Sequence, residues 1–188
     1  MSNRGLFIVV EGVDGVGKST IVKKVANSLG ARAIATPGGI WRKYRSLVEN
    51  AHPTIRFLYY VISNHFSSFV IRRMLKESHV ICDRFSHSTK AHHVAYGSRI
   101  ARYYPLALMA NCQPDLVYYL SVSSEEREIR IKNRPGNAQK DLDSSALKRV
   151  HRIFRLLPGM TEIDTTHLDE DKVTSLIYRD IKNKKAVM

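Results

Sequence analysis

Cysteine is scarce in this chain. Cys82 and Cys112 are the only two among 188 residues. They form no C-x-x-C pair, so neither a zinc site nor a dithiol redox site is supported, and two reduced core thiols in a cytoplasmic protein are expected. Long apolar runs are missing, and none could span a bilayer. Met1-Ser2-Asn3-Arg4-Gly5 runs straight into an apolar stretch and does not read as a signal peptide, so no membrane association is expected. Acidic residues are few: 17 Asp and Glu stand against 30 Lys and Arg, a formal net charge of +13. That imbalance favours anionic partners such as nucleic acid or phosphorylated small molecules. Part of it sits in the run Lys182-Asn183-Lys184-Lys185. Repeats, linkers and low-complexity segments are also lacking. One domain over residues 1–188, with a core that needs no staples, is expected.

What the chain does carry is Gly12-Val13-Asp14-Gly15-Val16-Gly17-Lys18-Ser19, followed by Thr20. An apolar run, Leu6 to Val10, precedes it and a helical pattern beginning at Ile21 follows. Strand, glycine-rich turn and helix, with G-x-x-x-x-G-K-S on the turn, form a phosphate-binding loop. Average residue usage makes a chance match roughly a one-in-a-hundred event, and the strand-to-helix context lowers it further. Successive backbone N–H groups and the helix N-terminus cradle phosphate oxygens. Gly12 and Gly17 allow backbone conformations and close approaches that a Cβ blocks. Lys18 reaches the β- and γ-phosphates, and the Ser19 hydroxyl ligates Mg²⁺. The chain therefore reads as binding a nucleoside triphosphate.

The remaining pattern alternates strands and helices, which implies a parallel sheet covered on both faces. A first helix to about Leu29, stopped by Gly30, precedes a weak strand at 31–35 and a turn at Thr36-Pro37-Gly38-Gly39. A short basic helix is expected over 40–50, with Arg42, Lys43 and Arg45. A long helix over about 54–76 carries Phe57, Tyr59, Tyr60, Phe66 and Phe69, read mostly as core, with one or two free to line a pocket for a flat base. Val80-Ile81-Cys82 reads as a buried strand ending in Asp83 and Arg84. The carboxyl ends of such strands face the ligand crevice. Asp83 there organises Mg²⁺, and Arg84 clamps a second phosphate. His87, His92 and His93 follow without a carboxylate or cysteine at ligand spacing, so they read as substrate contacts or exposed groups rather than metal ligands. A helix then runs to about Asn111, and Pro114 introduces a strand through Leu120. Ser123-Ser124-Glu125-Glu126 starts a helix bearing Arg127, Arg130, Lys132 and Arg134. The polar stretch Pro135–Asp141 after it gives a lid at about 133–143, or an ordinary exposed helix end. A helix over about 144–157, a strand at 161–164 and a helix over about 169–183 complete the chain.

With these residues in view, the chain resembles the thymidylate kinase family of nucleoside monophosphate kinases nearly end to end. The run Phe7–Thr20, Pro37-Gly38-Gly39, Cys82-Asp83-Arg84-Phe85 with Ser88, Thr89 and Ala91, and Pro114-Asp115-Leu116 carry the likeness. So do Tyr119-Leu120, the arginines before 135 and Ile163-Asp164-Thr165. The resemblance implies a P-loop NTPase three-layer α/β sandwich around a five-stranded parallel sheet. It implies ATP and Mg²⁺ at the loop, transfer of the γ-phosphoryl to a nucleoside monophosphate, and a homodimer through the long helices. Asp14 then meets the acceptor's sugar. Lys18, Asp83, Arg84 and a lid arginine, Arg134 or else Arg130, carry catalysis. Gly12, Asp14, Gly15, Val16, Gly17, Lys18, Ser19 and Thr20, with Arg130, hold the donor. Pro37, Arg45, Asn64, Arg84, Ser88 and His92 face the acceptor, and Ser19 and Asp83 the metal. Three departures stand out. Ala35-Thr36 replaces the family's Arg-Glu before Pro-Gly-Gly, Asn64 replaces an arginine that reads the thymine edge, and Ala91-His92-His93 replaces Ala-Tyr-Gln. dTMP is thus one candidate acceptor beside other pyrimidine nucleotides or a different small molecule. No Asn-Lys-x-Asp element supports a guanine-reading switch. An ATP-dependent nucleic-acid-binding protein is the alternative that the charge leaves open.

Overall fold

The computed structural model describes residues 4–133 and 144–187. In chain order the elements are β1 (Phe7–Gly12), α1 (Lys18–Leu29), β2 (Arg32–Ala35), α2 (Gly39–Lys43), α3 (Arg45–Glu49), α4 (Pro53–Met74) and β3 (Val80–Asp83). Then come α5 (Ser86–Ala95), α6 (Arg99–Tyr103), a 3₁₀ turn (Leu106–Met109), β4 (Leu116–Ser121), α7 (Ser124–Lys132), α8 (Ser144–Leu156), β5 (Thr161–Asp164) and α9 (Glu170–Val187). The five strands are all parallel, in the order β2-β3-β1-β4-β5. Strand β1 lies at the centre, where the connections diverge to opposite sides. Its carboxyl end therefore opens onto the crevice in which α/β sheets bind ligands.

Side-chain alternation along β1 builds the layers. Ile8 and Val10 enter one core with Val25, Tyr118, Leu120, Phe154 and Ile177, which joins α1, α8 and α9 to the sheet. Phe7 and Val9 enter the other with Ile71, Val80, Cys82 and Val117, which seats α4. The three-layer α/β sandwich expected from the sequence is the observed fold. Cys82 and Cys112 are free and buried. Among the described residues no helix is long and apolar enough to cross a membrane.

Helix ends follow local chemistry. Gly30 closes α1 in the left-handed region, with its N–H on the carbonyls of Ala26 and Asn27. Ser123 caps α7 by accepting from the Glu126 N–H. Three expectations are corrected. The single helix over 40–50 is two short ones broken at Tyr44. The helix expected after Ala95 through about Asn111 is instead the short α6 and a 3₁₀ turn, parted by extended backbone at Tyr104 and Pro105. In α4, Phe57 is fully buried, but Phe66 and Phe69 are 55% and 60% exposed. That helix is apolar on two sides, and only one of them meets the core.

Candidate active site

The phosphate loop leaves β1 at Gly12. A Cβ there would stand 2.6 Å from the Leu120 carbonyl oxygen, and φ is 148°. Only glycine lets β1 and β4 run this close while the chain turns. At Gly15 a Cβ would press on the side chains of Ile131 and Arg127, so α7 packs directly on the loop. Arg127 fixes that contact: its Nε donates to the Asp14 carbonyl at 2.7 Å. Gly17, at φ 86°, delivers the chain into α1. Val16 is buried, and Thr20 follows Ser19 in the first turn of α1. Lys18 is buried and donates from Nζ to the Val13 carbonyl at 2.6 Å. Burial, reinforced by Arg84, lowers its pKa to about 7. An anion in the loop favours the charged amine again.

Across the crevice, Ser19 Oγ donates to Asp83 Oδ2 at 2.7 Å. The other carboxylate oxygen, Oδ1, is buried with no hydrogen-bond partner among the described residues. A free carboxylate oxygen beside a hydroxyl fits a hard cation held by oxygen. No cluster of three or more His, Cys, Asp or Glu able to hold a metal exists among the described residues. A cation here would complete its shell with phosphate and water, as Mg²⁺ does.

Arg84 stands next to Asp83 in a backbone conformation rare for a side-chain-bearing residue, φ 67°. Its surroundings over-determine it. Its N–H bonds Val10 O at 3.0 Å, and its carbonyl accepts from Thr36 Oγ1 at 2.7 Å and Cys82 Sγ at 3.0 Å. Glu11, fully buried, accepts the N–H groups of Phe85 (2.9 Å) and Ser88 (3.1 Å) and the Ser88 hydroxyl. It thereby caps the start of α5 and fixes where Arg84 points. The guanidinium bonds Asp14 Oδ1 at 2.7 Å, Ser88 Oγ at 3.2 Å and His92 Nε2 at 3.1 Å. Burial alone would raise the Asp14 pKa, but Arg84 and Lys18 outweigh it and hold the carboxyl below its ordinary range.

Arg84 floors a cavity of about 370 Å³ that runs between α4 and α5, lined among others by Pro37, Arg56, Tyr60, Thr89, His92 and His93. The size suits a nucleotide-class ligand with one anionic end. A second cleft of about 550 Å³ shares Asp14 and Arg84 and adds Ser19, Lys23, Arg42 and Asp83. Arg45 lines both clefts and pairs with Glu49 at 3.1 Å.

The structure thus brings Asp14, Ser19, Pro37, Arg45, Asp83, Arg84, Ser88 and His92 around one crevice. Two of the expected residues lie elsewhere. Asn64 is buried beneath the cavity and donates its amide to Thr89 Oγ1 at 3.1 Å. Arg130 is tied to Glu126 and to the Thr165 carbonyl, at 2.8 and 2.7 Å. Arg134 and nearly all of the lid at 133–143 lie outside the described residues. Sequence reading missed Glu11, Arg56, Tyr96 and Arg127. Arg56 donates to the Glu49 carbonyl at 3.2 Å and lies over the Tyr96 ring at 5.5 Å. Spacing carries no mark of such contacts.

His93 packs against Phe57 and Tyr60. Burial, with help from Arg56, lowers its pKa from 6.5 to about 3. The native chain keeps this ring neutral while the unfolded chain protonates it. The resulting stability is full above pH 6.5 and is lost as pH falls toward 3, by at most about 1.4 kcal/mol per unit. The melting temperature is expected to fall between pH 6.5 and 5, and His93→Phe should show a shallower slope. An unchanged slope in that variant contradicts the assignment.

Comparison with known proteins agrees with the geometry. A family model described as thymidylate kinase matches residues 10–177. Thymidylate kinase from Prochlorococcus marinus (strain MIT 9515) is 32% identical, over 82% of this chain and 84% of that one. Thymidylate kinase from Bacillus cytotoxicus is 30% identical, over 81% of each chain. The solved thymidylate kinase of Candida albicans, whose description notes broad substrate specificity, superposes with a TM-score of 0.80 at 19% identity. It covers 98% of this chain and 94% of that one.

Proposed function

This chain belongs to the thymidylate kinase family and is an ATP-dependent nucleotide kinase; we propose that its acceptor is dTMP or another pyrimidine nucleoside monophosphate. The observation that carries this reading is the shared floor of the two clefts. Arg84 stands between the phosphate loop and a nucleotide-sized cavity, so a donor and an acceptor phosphate meet there. An acceptor-phosphate oxygen attacks the γ-phosphorus, the bond to the β–γ bridging oxygen breaks, and ADP and a nucleoside diphosphate leave. Positioning and charge neutralisation supply most of the catalysis. The loop amides and Lys18 hold the donor's terminal phosphates. Arg84 grips the acceptor phosphate and keeps it in line. Asp14, across from Arg84, is placed to meet the acceptor's sugar. Ser19 and Asp83 would hold Mg²⁺, which neutralises phosphate charge when bound. A cytoplasmic location, where ATP is abundant, is part of the same proposal.

Adjoining sites predict strong binding of a tethered ligand. Adenosine and thymidine joined 5′ to 5′ through five phosphates should bind at least ~100-fold more tightly than ATP or dTMP alone. Binding no tighter than ATP would separate the two clefts.

We also propose that α4 mediates a homodimer. Ile55, Leu58, Ile62, Phe66 and Phe69 recur at helical spacing on its outer side and are 41–60% exposed. Trp41 of α2 packs on Tyr59 and Phe66 at 5.2 and 5.3 Å, tying the acceptor-side segment to this same helix. Phe66→Asp is expected to convert a dimer to a monomer in sedimentation. A wild-type chain already monomeric at micromolar concentration contradicts this.

A further inference from the structure

Arg84 is held by three acceptors, and they are not equivalent. Asp14 takes one arm, Nη2, and its side chain is 65% exposed. In the functional reading above, on which this inference rests, Asp14 also serves the acceptor's sugar. The other arm, Nη1, is shared by Ser88 Oγ and His92 Nε2, at 3.2 and 3.1 Å. These contacts hold the guanidinium when Asp14 turns to substrate. A guanidinium only donates, so His92 Nε2 must offer its lone pair, and the ring hydrogen sits on Nδ1. We propose that His92 is a positioning residue that acts on the acceptor phosphate through Arg84, as the neutral acceptor fixing one arm of its guanidinium.

The imidazole is itself braced. The Tyr96 ring lies nearly parallel to it, at 13° and 6.3 Å between centroids, and Arg56 lies over Tyr96. Phe154 meets it edge-on at 6.1 Å. A column from Arg56 through Tyr96 and His92 thus ends on Arg84. Burial, then the charge of Arg84, keeps the ring neutral, so its lone pair stays available. Ser88 offers the same arm a second acceptor at 3.2 Å, its hydroxyl hydrogen being donated to Glu11.

The test is a double-mutant cycle with dTMP as probe. His92→Phe keeps the ring packing and removes the acceptor. It should lower kcat/KM for dTMP about tenfold or more, chiefly through KM. His92→Gln, which restores an acceptor oxygen, should recover activity to within about threefold of the parent. In an Arg84→Ala background, His92→Phe should cost less than about twofold, because there is no arm left to orient. ATP affinity and melting temperature, measured alongside, should match the parent in the His92 variants. Equal losses in both backgrounds, or a Gln variant as impaired as Phe, would overturn the inference while leaving the kinase assignment intact. Silence of the unmodified enzyme toward dTMP and the other pyrimidine monophosphates would overturn the functional reading and this inference with it.

Discussion

Lys18→Ala is expected to lower turnover several hundredfold or more, the scale of removing one preorganised charge from a phosphoryl-transfer site. The reasoning is positional. Nζ is buried within the loop, held at 2.6 Å on the Val13 carbonyl, and among the described residues no second lysine lines the crevice beside it except the exposed Lys23. Water cannot replace a cation that the fold delivers to the β- and γ-phosphates. Loss should fall more on kcat than on ATP affinity, because the loop amides persist. The fold should survive. Burial holds the Lys18 pKa at about 7, so below pH 7 the native state carries a buried charge that the unfolded state solvates. Removing it relieves that penalty, and melting is expected to hold. Turnover near the parent's would remove the loop from the chemistry.

Arg84→Ala is expected to lower kcat/KM for the acceptor roughly a thousandfold, while ATP affinity changes less than about threefold. Four elements converge on this residue: the Val10 carbonyl of β1, Thr36 after β2, the end of β3 and the start of α5. A strained φ of 67° persists because these contacts fix it. Arg84→Lys should recover little, since an ammonium lacks the planar fork that bonds Asp14 and a phosphate together. A lysine variant close to the parent would show that charge alone suffices, and an alanine variant impaired mainly for ATP would move Arg84 to the donor side.

How much of this was legible beforehand varies by the range of the interaction. The phosphate loop announces itself because backbone geometry imposes glycine at fixed spacing: Gly12 meets Leu120 O and Gly17 turns left-handed. Asp83-Arg84 was legible as a charged pair ending an apolar strand, since strand ends in a parallel sheet face the crevice. The three central strands followed from apolar runs between helical patterns, whereas the edge strands at 31–35 and 161–164 carry little apolar signal and the count of five came with the resemblance. Contacts between distant residues left no such mark. Glu11 looks like one acid beside a glycine, yet it caps a helix 74 residues away. Asn64 aligns with a base-reading position, but its amide is taken by Thr89. Arg56 is one basic residue on a long helix until Tyr96 and the cavity are seen around it. The apolar outer face of α4 was hidden because aromatics on both sides of a helix give the same composition as a buried core.

The most direct test follows labelled γ-phosphate from ATP, with Mg²⁺, into a panel of dTMP, dUMP, UMP, dCMP, CMP, AMP and GMP. This account predicts label in a pyrimidine nucleoside diphosphate, with dTMP among the acceptors, and none of that transfer in Lys18→Ala. Label appearing only as inorganic phosphate, or in no nucleotide while ATP is bound, would contradict it.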